Sequence, residues 1–194
     1  MPASDKLADG IVDAALEIAD EQGWDAVRLH DVADRLGVGL PQIRACYPDR
    51  DAVADAWLGR ADDAMLSTRA RPGFADLPAR ERLQAALGAW FTALGPRRRI
   101  LRSVLTYKLQ PPHLHLQAGL VVATSRRVQW LREAAGLDAE GIQCSIEETG
   151  LTALFVAAVG VWLTDDSEDD RRTRRFIAHR LRNAEALMRR LFRG

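Results

Sequence analysis

Residues 28–53 read RLHDVADRLGVGLPQIRACYPDRDAV, and the fold turns on whether this is a pair of short helices joined by a hinge. Leu29, Val32, Ala33 and Leu36 recur at helical spacing and stop at Gly37, a residue that enters the left-handed region at little cost. Beyond Gly37-Val38-Gly39 a second helix is expected. Pro41 falls in its first turn, where an amide hydrogen would have no intrahelical partner. At about 100° per residue, Leu40, Ile43 and Tyr47 share one side and are expected to pack on the preceding helix, while Pro41, Gln42 and Ala45 face outward. Arg44 stands beside the packed face, and Arg50 opens the next helix, for which Asp49 is a suitable N-cap. Early residues facing out between flanking cations is the layout of a helix-turn-helix that enters a major groove. The candidate DNA contacts are therefore Arg28, Gly39, Leu40, Pro41, Gln42, Arg44, Ala45, Tyr47 and Arg50.

The rest of the chain is helical in pattern as well. Ile11, Ala15 and Ile18 mark a first helix that ends at Gly23, and the helix opened by Asp49 runs to about Met65. The stretch RPGFADLP, 71–78, is the clearest break, so the expected organisation is a head (1–49), a connecting helix (50–70) and a body (71–194). Within the body, an amphipathic helix begins near Ala79 and another at Pro96, the latter stopped by Pro111-Pro112. Long helices follow over about 114–135 and 139–163, then a polar turn at Asp165, Asp166 and Ser167, then a last helix. About nine helices and no sheet are expected, an all-α fold.

At 194 residues and 21.5 kDa the chain is long enough for a sizeable core, and its mean hydropathy is −0.18. The longest apolar run, residues 151–163, falls short of the roughly 20 residues that span a bilayer. The opening MPASDKLADG lacks the pattern of a secretory signal, and Cys46 and Cys144 form no disulfide framework or CxxC motif, so a cytoplasmic protein without stable membrane insertion is expected. Net charge is zero but unevenly spread. Residues 1–66 hold 14 Asp and Glu against six Lys and Arg, a net of −8, and the remainder carries +8. An acidic head opposes the counterion release that drives DNA binding, which leaves that task to Arg28, Arg35, Arg44 and Arg50.

With Ala14-Ala15-Leu16, Gly23-Trp24, Asp31-Val32-Ala33, Gly37-Val38 and Tyr47-Pro48 followed by Asp49-Arg50-Asp51, the first third of the chain resembles the amino-terminal module of the TetR family of transcriptional regulators. That resemblance implies a three-helix DNA-binding head on an all-helical body that dimerises and holds an effector. Departures fall where DNA would be touched: Gly39, Gln42, Arg44 and Arg50 replace the Ser or Thr, Thr, Tyr and Lys usual in the family. A second resemblance covers the carboxyl end. Trp162, Leu163, Asp165, Asp166, Ser167, Phe176 and Arg180 are similar to positions of the coenzyme Q biosynthesis accessory proteins, which implies a TetR-like fold that binds lipid rather than DNA. This chain has Arg174-Arg175 where that family tends to place Thr-Trp.

Other constellations are weaker. His113 and His115 alternate in a proline-rich turn without a carboxylate or cysteine at ligand spacing, and Glu147 and Glu148 are adjacent on a helix and point to different faces. The run EDDRRTRR, 168–175, reads as a solvated helix start. No phosphate loop, nucleophile elbow or zinc-protease motif occurs, so neither enzyme, cofactor nor metal is expected. Trp90, Phe91, Leu94, Leu101, Val104, Tyr107, Trp130 and Phe155 either fill the body's core, together with Trp162, or line a pocket for an apolar small-molecule or lipid effector. Finally, Ile177, Leu181, Ala184, Met188 and Leu191 form a narrow apolar seam, which paired with the helix over 139–163 is expected to make a four-helix homodimer interface. The expectation as a whole is a dimeric regulator, acting as a repressor, that binds double-stranded operator DNA and is released by an apolar effector. The alternatives are a lipid-binding accessory protein on the same fold or a pure interaction module.

Overall fold

The computed structural model describes residues 3–111 and 114–192, so His113 lies outside the described residues. Nine α-helices are present among them, and no strand: α1 (Ala3–Gln22), α2 (Leu29–Leu36), α3 (Leu40–Cys46), α4 (Arg50–Leu66), α5 (Ala79–Leu94), α6 (Arg98–Lys108), α7 (Leu114–Ala135), α8 (Gly141–Leu163) and α9 (Arg171–Phe192). Single 3-10 turns punctuate them, the first at Trp24–Ala26. Asp49 caps α4 as its sequence position requires, its Oδ1 accepting the Ala52 amide hydrogen at 2.8 Å.

The helices group into two compact units. The first comprises Met1–Arg60 and Leu94–Leu116. Its core joins Ile11, Ala15 and Leu16 of α1 to Trp24, Val32, Ile43 and Val53, and to Ile100, Leu101 and Val104 of α6, all buried. Residues 94–116, expected inside the body, group with this first unit, where α6 packs on the Trp24 turn and on α1. Polar ties follow the same route. Lys108, at the end of α6 and buried, donates to Asp55 of α4 at 2.8 Å and lies 3.8 Å from Asp51, and Arg97 meets Asp20 of α1 at 3.0 Å. A buried ammonium left unpaired would cost several kcal/mol, so these carboxylates are what permit a lysine there.

The second unit comprises Ala61–Ala93 and Gln117–Gly194. The expected break at 71–78 lies inside it as a surface connection, anchored by the buried ring of Phe74. Trp90, Phe91, Phe155 and Trp162 interlock at its centre, with ring centroids 5.0 Å apart for Trp90 and Phe155 and 5.4 Å for Phe91 and Trp162. Asp62 accepts the Trp90 indole N–H at 2.7 Å and an Arg127 N–H at 2.9 Å, so the one carboxylate satisfies two buried donors. Between α8 and α9 the chain turns on Asp165. Burial alone would push its carboxyl up, but hydrogen bonds from Ser167 and from the amide and hydroxyl of Thr173 outweigh it and hold the group well below the usual carboxylate range. Asp169 and Asp170 follow in left-handed backbone, a conformation Asp tolerates better than most residues, and Asp170 accepts the Trp162 indole N–H at 3.0 Å.

Among the described residues one helix, α8, is long and apolar enough by length and composition to cross a membrane, which the 13-residue run 151–163 by itself did not suggest. The helix is 23 residues long because it starts at Gly141, well before that run. Only 28% of its most apolar window is buried within the chain. Ile142, Thr149, Ala153, Val156 and Gly160 line its exposed face, with Val156 57% exposed.

Candidate nucleic-acid interface

The hinge of residues 28–53 has the geometry its glycines suggest. Gly37 takes φ 65° and ψ 32° and closes α2, donating to Asp34 O at 3.2 Å, while Val38 donates to Ala33 O at 3.0 Å. An L side chain at φ +65° is strained, so glycine is the residue this turn calls for. Gly39 is extended, at φ −83°, and begins α3 as its N-cap. Glycine has no side chain to cap with, and the bond that closes the turn runs the other way: the Gly39 amide donates to Gln42 Oε1 at 2.8 Å. Pro41 sits in the first turn as expected.

Only part of the expected packing face forms. Ile43 is buried, and Tyr47 is half-buried with its hydroxyl donating to Ala8 O of α1 at 3.4 Å. Burial, with Asp9 nearby, pushes the Tyr47 phenol up from its ordinary value. Leu40 does not pack as expected. It is 51% exposed, at the rim of an open surface depression that it shares with Leu29 at the start of α2. The outward face is therefore Leu40, Pro41, Gln42, Arg44 and Ala45, all exposed.

The cations of the head are mostly committed. Arg28 donates to the carbonyls of Asp25 and Val27. Arg50, expected to face phosphate, turns inward: it donates to the carbonyls of Trp24, Asp25 and Val27 at 3.3–3.5 Å, and its guanidinium lies 4.4 Å from the centre of the Tyr107 ring. Arg35 pairs with Glu17 and Glu21, and Arg60 with Asp9 and Asp13 of α1. Arg44 and Lys6 carry no hydrogen bond or ion pair among the described residues. The structural roles of Gln42 and Arg50 escaped the sequence reading for different reasons. The three-residue spacing from Gly39 to Gln42 is a local capping signal that was there to be read. Arg50's partner Tyr107 lies 57 positions further along the chain, with no local pattern joining them.

The residues expected around an effector are divided. Trp90, Phe91 and Phe155 come together in the second unit, joined by Trp162, as a filled cluster of rings in contact. Leu94, Leu101 and Val104 are buried residues of the first unit, and there Tyr107 is the shelf under Arg50. Trp130 joins neither group, standing 56% exposed on α7. No group of three or more His, Cys, Asp or Glu residues suited to a metal occurs among the described residues.

Comparison with known proteins gives three findings. The sequence model of the COQ9 family matches residues 149–188, from the middle of α8 through most of α9. The chain is 39% identical to a TetR transcriptional regulator from Nitrosomonas europaea ATCC 19718 of known crystal structure, covering 93% of this chain and 99% of that one, with a TM-score of 0.82. A bacterial regulatory protein in the tetR family from Rhodococcus RHA1 is 19% identical over 94% of this chain and 97% of its own, with a TM-score of 0.54, a likeness of fold alone. No curated protein matches the chain.

Proposed function

This chain belongs to the TetR family of transcriptional regulators, and from that premise we propose that it is a repressor that binds operator DNA as a homodimer and is released by an apolar effector in the cytoplasm. The observation that carries the DNA-binding part is the α2–Gly37–α3 hinge, which presents the outer face of α3 free of its own chain. Leu40, Pro41 and Ala45 on that face suit apolar contact with thymine methyl groups, and Arg44 suits a phosphate or a guanine edge. Gln42 enters with its amide oxygen engaged at Gly39, so only its NH2 remains for an acceptor on a base edge. For the dimer, the support is the exposed small and apolar face of α8, with Leu191 exposed on α9; Ile177 and Leu181 of the expected seam are instead buried within the chain, and Leu181, Ala184 and Met188 line a cavity there.

A second reading is favoured by two observations. The COQ9 family match lies over α8 and α9, and the head has few uncommitted cations against its net charge of −8. Under that reading the protein is a non-enzymatic lipid-binding accessory protein whose head does not bind DNA. Selection from random duplexes with the ligand-free full chain, at about 50 and about 200 mM salt, separates the two. Enrichment of a palindrome, with affinity falling steeply between the two salts, is the expected outcome. Failure to enrich any palindrome at the lower salt would discard the regulator in favour of the accessory protein.

A further inference from the structure

The second unit contains a cavity of about 530 Å³, open to solvent on one side where Ile146, Leu187 and Phe192 are exposed, and apart from the filled aromatic cluster. It lies between the start of α5, the first half of α8 and the last turns of α9. Its walls are aliphatic, with Leu83, Leu151, Leu154, Leu181 and Met188 prominent among them. The volume falls in the range of about 300–1,000 Å³ typical of small-molecule sites. From Gln143 to Leu154 its α8 wall runs roughly 16 Å at 1.5 Å per residue, so the space is long rather than round.

The charged groups around it are balanced and paired. Glu185 accepts from Arg80 at 3.1 Å and also from Arg189. Glu147 accepts from Arg132 at 3.4 Å and from Gln143 at 3.0 Å. Arg80 and Glu185 are about a third exposed and Arg189 more than half, so these pairs lie toward solvent, and a charge carried past them into the aliphatic interior would be costly because it finds no partner there. The cavity is also not the face of α8 suited to a second copy. Gln143, Glu147, Leu151 and Leu154 point roughly 140° round the helix from Ile142, Thr149, Ala153, Val156 and Gly160, with Ile146 and Gly150 of the cavity rim between the two.

We propose that this cavity between α5, α8 and α9 is the effector site and takes an uncharged, elongated, hydrocarbon-rich molecule, an inference that rests on the effector reading above. Gly150 lines it at the exposed rim, and a Cβ built there meets nothing within 4 Å, so a large side chain there has room beside the opening without a clash against the fold. The test uses the full chain and the neutral dye N-phenyl-1-naphthylamine, whose fluorescence rises in apolar surroundings. The native protein is expected to bind it saturably at one per chain. Gly150→Trp and, independently, Ala184→Trp on the α9 wall should weaken binding at least about tenfold, with the melting temperature and the dimer mass by light scattering retained. Native-like dye binding by both variants would place the ligand elsewhere and overturn the proposal while leaving the effector reading intact. No binding by the native chain would overturn it, as would loss of binding accompanied by a monomer mass, which would make the cavity part of the contact between copies. Conversely, dye that is lost in Gly150→Trp yet never releases duplex DNA from the native chain would keep the site and remove the effector reading.

Discussion

At the scale of single residues, Arg44 on α3 and Arg50 just after it are engaged in opposite ways. Arg44 is exposed and uncommitted, so Arg44→Ala should leave the melting temperature unchanged while reducing the slope of log affinity against log salt by about 1. Arg50 holds three carbonyls and a tyrosine face. Arg50→Ala should destabilise the protein by roughly 1–3 kcal/mol, seen by thermal denaturation, and weaken DNA binding only through that loss. Gln42→Ala removes the bond that caps α3, so its effect on base preference should come with a small loss of stability, about 0.5–1 kcal/mol. Asp165 makes the chain sensitive to acid. A carboxylate held below its unfolded value near 4 contributes stability that is fully present above that value and lost as pH falls through the native one. Melting temperatures measured from pH 3 to 7 should therefore fall on acidification for the native chain. Asp165→Asn should start lower at pH 7 and lose less below about pH 4; parallel curves for the two proteins would refute this role.

At the scale of elements, much was legible because local signals agreed with one another. Gly37, Pro41 and Asp49 each mark a helix boundary by a backbone requirement that acts within a turn or two, and α2 ends, and α3 and α4 begin, within one residue of them. What escaped was decided over distance. The exposure of Leu40 depends on how α3 packs against α1 and α2, and the membership of α6 in the head depends on Trp24 and Asp55, which lie dozens of positions away. Aromatic content likewise foretold that rings would cluster, but whether they fill or line a space is set by the helices that carry them. Two tests belong at this scale. Gly37→Ala should cost about 1–2 kcal/mol, because alanine must then occupy left-handed backbone at φ +65°. Val156→Arg, on the exposed face of α8, should halve the mass measured by light scattering without lowering helicity by circular dichroism. A dimer that survives that charge would move the contact between copies to another face.

At the scale of the whole molecule, the acidic head is stabilised in part by its own cations. Arg35 and Arg60 each bridge to two carboxylates of α1, and exposed pairs of this kind contribute at most about 1 kcal/mol each and weaken with salt. They also engage positive charge that phosphate would otherwise meet, so under the proposed function DNA affinity should depend strongly on Arg44. The first unit is built from two separate stretches of chain, 1–60 and 94–116. A fragment ending at residue 66 would lack Ile100, Leu101 and Val104 and the partner of Asp55, and it should show little cooperative unfolding by circular dichroism. Genetic exchange meets the same obstacle. A single crossover that imported a relative's first sixty codons would mate a foreign α1 and α4 to a resident α6, so such a chimera should melt lower than either parent. Under the proposed function, DNA preference should therefore change most freely by point substitutions on the exposed positions of α3, where a change meets solvent rather than a core shared with a distant part of the gene.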